Sequence, residues 1–354
     1  MTDEAPAKVP AVARGRFPIP VVTRAGIVRL ACLLLVLAVL SLWAWGCMIR
    51  MPGKSRSGPL PPLTPREEEI AASLRRDVQE LAGRIGIRTV FDPGLAAAAD
   101  YVERRFREAG FAPRRQVFEV DRRTCANLEA EIPGGPAAGE IVVVGAHYDS
   151  VFGCPGANDN ATGVAGLLAL ARVLAGSRPD RTLRFLAFAN EEPPFFQTRH
   201  MGSRVYARAC RERGEKIAAM ISLETIGYFS DEPGSQKYPP PLGFFYPSTG
   251  DFIAFVGNVP SRDLVRRVVA AFRERATVPS EAGALPSFLP GVGWSDHWAF
   301  WKEGYPALMV TDTAPFRYPH YHTTRDTPDR VDFGRCARVV AGLEGVVRDL
   351  AGIR

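Results

Sequence analysis

Most of the sequence has no excess of charge of either sign. The net charge of the 354 residues is +6. Of the 44 basic and 38 acidic residues, eight and two lie within residues 1–56, so the rest of the chain has 36 of each. Because a nucleic-acid-binding domain needs a basic face, we expect no nucleic-acid partner.

The chain also lacks the composition of a fibrous or disordered protein, and no internal repeat is evident. Its residues are 46% hydrophobic and 23% charged, with 33 Gly and 30 Pro. This balance excludes a collagen-like, coiled-coil or fully disordered chain. The length is sufficient for one large domain or two ordinary ones.

Cysteine is scarce, and no CxxC or CxxH spacing marks a cysteine-based zinc site. Two of the six cysteines, Cys32 and Cys47, lie in the apolar N-terminal part of the chain. Outside the cytoplasm, any two of the other four could form a disulfide, and the sequence does not select a pair. These four are Cys125, Cys154, Cys210 and Cys336.

Only one apolar run is long enough to cross a membrane. Leu30–Met48 contains about 19 residues without charge, which as a helix would reach about 28 Å. Trp43 and Trp45 near its end suit the membrane–water boundary. The alternative is a buried core helix, although an uncharged run of this length is rare in a soluble core.

Basic residues flank this run, five before it and three closely after it. The positive-inside rule therefore predicts a cytoplasmic basic tail over 1–29, a transmembrane signal anchor over 30–48 and an extracytoplasmic remainder. No small-x-small cleavage pattern is present at Trp45-Gly46-Cys47, so we favour an uncleaved single-pass anchor in the cell membrane. Residues 49–64, rich in Pro, Gly and Ser, are predicted to be a linker to a domain over 65–354.

From residue 64 onwards, helical and extended patterns alternate. Thr64-Pro65, followed by Glu67 in the first turn, predicts the start of a helix. Short apolar runs predict strands over 141–146, 183–189, 217–223 and 306–311, with helices between them. This order predicts an α/β three-layer sandwich with a mixed, largely parallel central sheet. In such sheets, ligands bind beyond the carboxyl ends of the strands.

Acidic residues and histidines follow all four of these predicted strands. Each of these residues has an ordinary explanation when it is considered by itself. An acidic residue at the start of a helix could be only the helix cap, and two adjacent Glu residues could be a solvated surface pair. Converging at one edge of the sheet, the groups would repel one another unless a cation compensated them. His and carboxylate ligands together suit a catalytic zinc or a similar divalent ion. The residues are His147, Asp149, Asp159, Glu191, Glu192, Glu224 and His322.

The order of these motifs resembles that of the co-catalytic di-zinc exopeptidases. The motifs are His-x-Asp, Gly-Ala-Asn-Asp-Asn-Ala-Thr-Gly, Asn-Glu-Glu, a single acid, and Tyr-His-Thr. The family includes bacterial leucyl aminopeptidases, glutamate carboxypeptidase II and glutaminyl cyclases. The resemblance covers roughly residues 65–350 and implies a zinc-exopeptidase (phosphorylase/hydrolase-like) fold with two Zn²⁺ per chain.

Carried over position by position, the resemblance implies a role for each residue. His147, Asp159 and Glu224 would hold one zinc, and Glu192, His322 and the shared Asp159 the other. Asp149 would orient the imidazole of His147. Glu191 would be the general base, with a metal-bridged hydroxide as the nucleophile. Many relatives have Asp where Glu224 stands, and the Tyr-His-Thr pattern disfavours His320 as a rival ligand.

The resemblance says less about the substrate. It implies a membrane-anchored aminopeptidase that acts on peptides with a free N-terminus, and it leaves the oligomeric state open. Asp296 and Tyr321 are candidates for contacts either with the substrate or with the metal-ligating side chains. Tyr228 and Phe229 could line an apolar pocket. Trp298 and Trp301 have helical spacing, which favours a core position.

Three alternatives remain open. A glutaminyl cyclase on the same scaffold would have Trp where Tyr321 precedes the last histidine. A catalytically inactive, receptor-like ectodomain would have lost ligands, whereas every expected position here holds a competent side chain. A glutamate-type carboxypeptidase would need arginines to bind a terminal carboxylate, for which Arg199, Arg317 and Arg325 are candidates.

Overall fold

The computed structural model describes residues 23–354. Most of the predicted basic tail, residues 1–22, lies outside the described residues. The chain divides into two compact units, one ending at Trp45 and the other covering Gly46–Arg354.

The first unit contains helix α1, Arg24–Ala44. The Thr23 hydroxyl accepts a hydrogen bond from the Gly26 amide at 3.1 Å and caps the helix. No residue of α1 is buried. The helical stretch Arg24–Ile49 is long and apolar enough to cross a membrane, a property that a signal sequence would share. The predicted span, 30–48, lies within it.

The second unit contains eight further helices and eight strands within the described residues. The helices are α2 Pro65–Val78, α3 Pro93–Glu108, α4 Gly163–Leu174, α5 Gly202–Glu212, α6 Arg262–Arg275, α7 His297–Lys302, α8 Ala314–Arg317 and α9 Phe333–Ala351. The strands are β1 Arg114–Val120, β2 Arg123–Ile132, β3 Ala137–His147, β4 Arg181–Phe188, β5 Lys216–Glu224, β6 Ile253–Asn258, β7 Ser280–Leu285 and β8 Ala307–Thr311. Helical turns continue α2 through Gln79–Ile85.

The strands form one mixed sheet in the order β1-β2-β4-β3-β5-β8-β6-β7. The four central strands, β4, β3, β5 and β8, are mutually parallel. Antiparallel pairs join β1 to β2, β2 to β4 and β6 to β8, whereas β6 and β7 are parallel to each other. The predicted fold class, an α/β sandwich with a largely parallel centre, is confirmed.

Both faces of the sheet are covered by helices. Val142 and Val144 of β3 belong to a core shared with α2, α3, α4, α6 and α9. Ile141 and Val143 face the opposite way and pack with α5 and α7. This double burial explains why the β3 sequence is continuously apolar instead of alternating. Trp298 and Trp301 pack against the second core, as their helical spacing predicted.

Two local predictions have different outcomes. Helix α2 begins as predicted, because Thr64 and Glu67 form a reciprocal capping box. The linker over 49–64 stays a prediction, and the structure shows contacts between this segment and the domain. Arg273 of α6 donates to the Pro52 carbonyl at 3.0 Å, and the Ser55 hydroxyl accepts from the Ser280 amide at 2.8 Å. Arginines from neighbouring helices thus bind a segment whose composition alone indicated flexibility. The six cysteines are free thiols.

Candidate active site

The carboxyl edge of the parallel strands carries the candidate residues. Strand β3 ends at His147 and β5 ends at Glu224. Glu191 and Glu192 follow β4, and His322 lies in the loop after β8. Adjacent parallel strands in register deliver these side chains to the same edge, as the α/β pattern predicted.

The first set of groups surrounds the imidazole of His147. Its Nε2 lies 3.4 Å from Asp159 Oδ1 and 3.2 Å from Glu224 Oε2. On the other side of the ring, Nδ1 lies 3.3 Å from Asp149 Oδ1. His147, Asp149, Asp159 and Glu224 are all buried.

The second set uses the other oxygen of Asp159. Oδ2 lies 3.0 Å from Nε2 of His322, which is 3.3 Å from Glu192 Oε2. Asp159 therefore presents one carboxylate oxygen to each set. Asp159 lies in the turn Ala157–Thr162 before α4, and the N-cap residue of α4 is Thr162, so Asp159 is not the cap of that helix.

The donor atoms of both sets fit divalent cations. Buried atoms that face the sets have no hydrogen-bond partner, namely His147 Nε2, Asp159 Oδ1 and Glu192 Oε1. Within residues 23–354, no Lys or Arg forms an ion pair with these carboxylates. Burial raises the pKa of Asp159, but its contacts with His147 and His322 outweigh this and hold the pKa below its ordinary value. Buried carboxylates without a cationic partner are costly, which a bound dication would relieve.

Glu191 lies beside both sets without belonging to either. Its Oε2 is 3.9 Å from His147 Nε2. Burial raises the pKa of its carboxyl group well above the ordinary value. Asn190, just before it, has a positive φ of 58°, a conformation that non-glycine residues adopt rarely and that often marks functional sites.

Asp149 positions this segment as well as His147. Its two carboxylate oxygens accept hydrogen bonds from the backbone amides of Glu191 at 3.1 Å and Glu192 at 3.0 Å. One aspartate thus touches the base candidate, a ligand candidate and the first imidazole. The sequence predicted only the contact with His147.

Asp326 supports Asp159 from behind, a role that the sequence did not reveal. Its carboxylate accepts hydrogen bonds from the backbone amides of Asn158 at 2.8 Å and Asp159 at 3.0 Å, and from the Tyr318 hydroxyl at 3.0 Å. These bonds fix the turn that carries Asp159. The recognisable signal is only an acid four residues after His322.

Replacing Asp326 with Asn should weaken metal binding by about 10- to 100-fold, because one oxygen that accepts an amide hydrogen becomes an amide donor. Competition with a chelator of known affinity measures the change. The matched control is Asp329→Asn in the same loop, whose side chain is 67% exposed and which should bind metal normally. Unchanged metal affinity in Asp326→Asn would contradict this role.

Arg88 is a second support that the sequence did not indicate. It is fully buried, and its guanidinium donates only to backbone carbonyls. These bonds connect the end of β3 to the loop before Asp159, so they fix the spacing between the two motifs. A single arginine in a short loop gives no sequence signal for such a position. The acceptors are the carbonyls of Leu81, Gly86, Tyr148, Pro155 and Gly156.

Comparison with known proteins assigns this arrangement to a family. The sequence model of peptidase family M28 matches residues 127–346, which include every residue of both sets. The chain belongs to peptidase family M28. It is accordingly a metallopeptidase of a zinc-dependent family, as the motif order predicted.

This M28 peptidase matches a different share of the length of each of its relatives. It is 39% identical over 292 residues to uncharacterized protein YfbL of Escherichia coli K12, covering 80% of this chain and 88% of that protein. It is 27% identical over 241 residues to leucine aminopeptidase 1 of Arthroderma otae, covering 64% of this chain and 58% of that enzyme. The M28 peptidase thus spans little more than half of that aminopeptidase.

Solved structures confirm the fold. The aminopeptidase from Aneurinibacillus sp. strain AM-1 superposes with a TM-score of 0.62 at 18% identity, over 81% of this chain and 95% of that one. A glutaminyl cyclase from Fimbriiglobus ruber gives a TM-score of 0.56 at 21% identity, over 84% and 99%.

An apolar cavity opens beside the first set in the M28 peptidase. Its space amounts to about 790 Å³ with the open solvent at its mouth included, and its lining residues include Glu224, Tyr321 and Trp294. The ring of Tyr321 stacks on His322 with centroids 3.8 Å apart. Tyr228 and Phe229, which we expected to line a pocket, do not line this one. Tyr228 packs against Tyr318, and Phe229 lies in the core.

The Ser-Asp-His segment of the M28 peptidase lies behind Glu224. The Ser295 hydroxyl donates a hydrogen bond to Glu224 Oε2 at 2.7 Å. Asp296 is fully buried, and burial raises the pKa of its carboxyl group to about 7. The Asp296 side chain thus remains a candidate for a contact near the site. The serine was not predicted to take part.

Other residues from the sequence analysis lie outside the two sets. His320 packs against Tyr318 and belongs to neither set. Arg317, a candidate for binding a substrate carboxylate, is buried and donates to Gln236 Oε1 at 2.7 Å and to the Phe252 carbonyl at 2.7 Å. Its guanidinium is thus engaged within the domain.

Proposed function

We propose that this M28 peptidase is a membrane-anchored aminopeptidase with two divalent metal ions, zinc by family, in its active site. The observation that carries the proposal is the division of the Asp159 carboxylate between two complete sets of candidate ligands. A site for a single metal ion would need only one of these two sets of ligands. A receptor-like inactive ectodomain would need neither set.

Each metal position would have three protein ligands. His147, Asp159 and Glu224 would hold one ion, and Asp159, Glu192 and His322 the other. The bound ions would supply an acidified water and polarise the scissile carbonyl. Three ligands per ion leave positions open to substrate, as catalytic sites require.

The protein's own residues would handle the protons and orient the groups. Glu191 would accept the proton of the attacking water and return it to the leaving amine. Burial raises the pKa of Glu191, which favours acceptance of a proton from water. Asp149 holds the Glu191 backbone and the His147 ring in place, and Tyr321 would contact the substrate at the cavity mouth.

The surroundings of the site favour an amine-recognising enzyme over a carboxypeptidase. The free α-amine of a peptide would bind near one of the two metal ions. The guanidinium of Arg317 is buried, donates through Nε and Nη1 within the domain and does not line the apolar cavity, so it does not offer the grip that a terminal carboxylate needs. The apolar cavity would accept the side chain of the N-terminal residue.

The proposed location rests on the apolar helix. We assign residues 30–48 to a single-pass signal anchor of the cell membrane, residues 1–29 to a cytoplasmic tail and the domain over 65–354 to the extracytoplasmic side. The exposed apolar surface of α1 supports this assignment, because it would be covered by lipid.

A substrate panel tests the activity. The full chain, purified in detergent, is given aminoacyl amides with free and with N-acetylated amines, and an N-terminal glutaminyl peptide, with and without chelator. We expect hydrolysis of free amides at least about 100-fold faster than of blocked ones, since only the free amine is recognised. Chelator should abolish hydrolysis and zinc restore it. Ammonia release from the glutaminyl peptide without amide hydrolysis would instead identify a cyclase, and equal cleavage of blocked amides would contradict an aminopeptidase.

A further inference from the structure

The floor of the apolar cavity is one row of residues across the sheet. Strand pairing places Glu224 opposite Thr311, Thr311 opposite Ala254, and Ala254 opposite Glu281. All four line the cavity, so all four face the same way. With strands about 4.8 Å apart, the row from Glu224 to Glu281 extends about 14 Å. A carboxylate therefore lies at each end of an otherwise apolar floor.

The carboxylate at the far end is not neutralised. Glu281 is partly buried, and within the described residues it has no hydrogen bond or ion pair through its side chain. Burial raises the pKa of Glu281, and the charge of Arg273 acts in the opposite direction. The Arg273 guanidinium donates its hydrogen bonds to the Ser280 carbonyl at 2.8 Å, the Ser280 hydroxyl at 3.2 Å and the Pro52 carbonyl at 3.0 Å. Asp251 adds further negative potential at Glu281.

The walls between the two ends are aromatic and apolar. Tyr238 and Tyr246 stack with centroids 5.8 Å apart, and both hydroxyls are engaged with backbone carbonyls, of Pro247 and Ala282 respectively. Gly283 makes room for this wall, since a Cβ there would lie 2.6 Å from the Tyr246 hydroxyl. The walls thus offer apolar surface to a chain passing between them, with the Glu281 carboxylate at the far end.

We propose that this cavity selects substrates whose N-terminal residue is lysine or arginine. The aliphatic stem would pack between the aromatic walls, and the terminal cation would pair with Glu281. A four-carbon stem extends roughly 6 Å, so the α-amine bound at the metal end and the Glu281 side chain extended along the floor would together have to span the rest of the row of about 14 Å. Proteins commonly accommodate long basic side chains in this way, with the aliphatic stem buried and the charged tip in a polar environment. This inference rests on the proposed aminopeptidase function.

Comparing lysine with norleucine isolates the charge, because the two side chains have the same four-carbon stem. In the full chain we expect kcat/KM for the lysyl and arginyl amides to exceed that for the norleucyl amide by about 10-fold or more. Glu281→Gln should lower the lysyl and arginyl values by about 10- to 100-fold and change the norleucyl value by less than about 3-fold. The retained norleucyl activity shows that the variant is folded.

The control is Glu119→Gln, an exposed glutamate on edge strand β1, which should leave all the ratios unchanged. Norleucyl amide cleaved as well as lysyl amide by the unmodified protein would overturn the proposal, and so would an equal loss on all substrates in Glu281→Gln. If no free aminoacyl amide is hydrolysed, the aminopeptidase function itself fails. Hydrolysis without charge preference overturns only the role of Glu281.

Discussion

Replacing Glu191 with Gln should lower kcat by about 10³- to 10⁴-fold and leave the metal content unchanged. Gln is isosteric with Glu but does not accept a proton at neutral pH. Glu191 belongs to neither set of candidate ligands, and its backbone amide, not its side chain, is bound to Asp149. The substitution therefore removes the proton acceptor without removing a ligand. Steady-state kinetics on a free aminoacyl amide and metal analysis of the purified variant measure the two quantities.

The adjacent residue provides a matched control for this prediction. Glu192→Gln is the same chemical change one position later, but Glu192 Oε2 faces His322 in the second set. That variant should lose one metal ion, whereas Glu191→Gln should lose none. Near-normal turnover in Glu191→Gln would refute the assignment of the general base. Loss of metal from it would show instead that Glu191 is a ligand.

The sequence predicted those parts of the fold that a single local sequence pattern is sufficient to determine. The continuous apolar run ending at Ala146 could be buried only on both faces, and it became the central strand β3. Thr64 and Glu67 predicted the start of α2 because a capping box is a local interaction. His147, Glu192 and Glu224 were predictable for a similar reason, since they lie at or just after the ends of such strands, whereas the roles of Asp159 and His322 came from the family resemblance.

Long-range contacts decided the parts that were missed. Strand β1 alternates exposed and partly buried residues at the edge of the sheet, and the short strand β6 pairs with strands distant in sequence. Neither has a strong local signal. The contacts of the segment over 49–64 were not predicted, because the arginines that bind it come from residues more than 200 positions later. Arg88 and Asp326 support the site through backbone atoms of remote loops, which no spacing rule reveals.

Replacing Asp159 with Ala should remove both metal ions and reduce activity below detection, the largest effect of any single substitution here. Each oxygen of its carboxylate faces a different set, Oδ1 toward His147 and Oδ2 toward His322. Removing the carboxylate leaves two protein ligands in each set, fewer than the three that catalytic zinc sites have. We therefore expect metal content to fall from about two per chain to near zero, measured after dialysis against buffer of defined free zinc.

Variants confined to one set test whether the carboxylate is shared. His322→Ala removes a ligand from the second set only, so it should retain about one ion. The metal-free form of Asp159→Ala should unfold at a lower temperature than the metal-free unmodified protein at neutral pH, because the contacts with His147 and His322 that hold the pKa of Asp159 below its ordinary value stabilise the folded state. Added zinc should raise the unfolding temperature of the unmodified protein and not that of Asp159→Ala. If Asp159→Ala instead retained one ion, the two sets would not depend on a common carboxylate, and the two-metal mechanism would have to be abandoned.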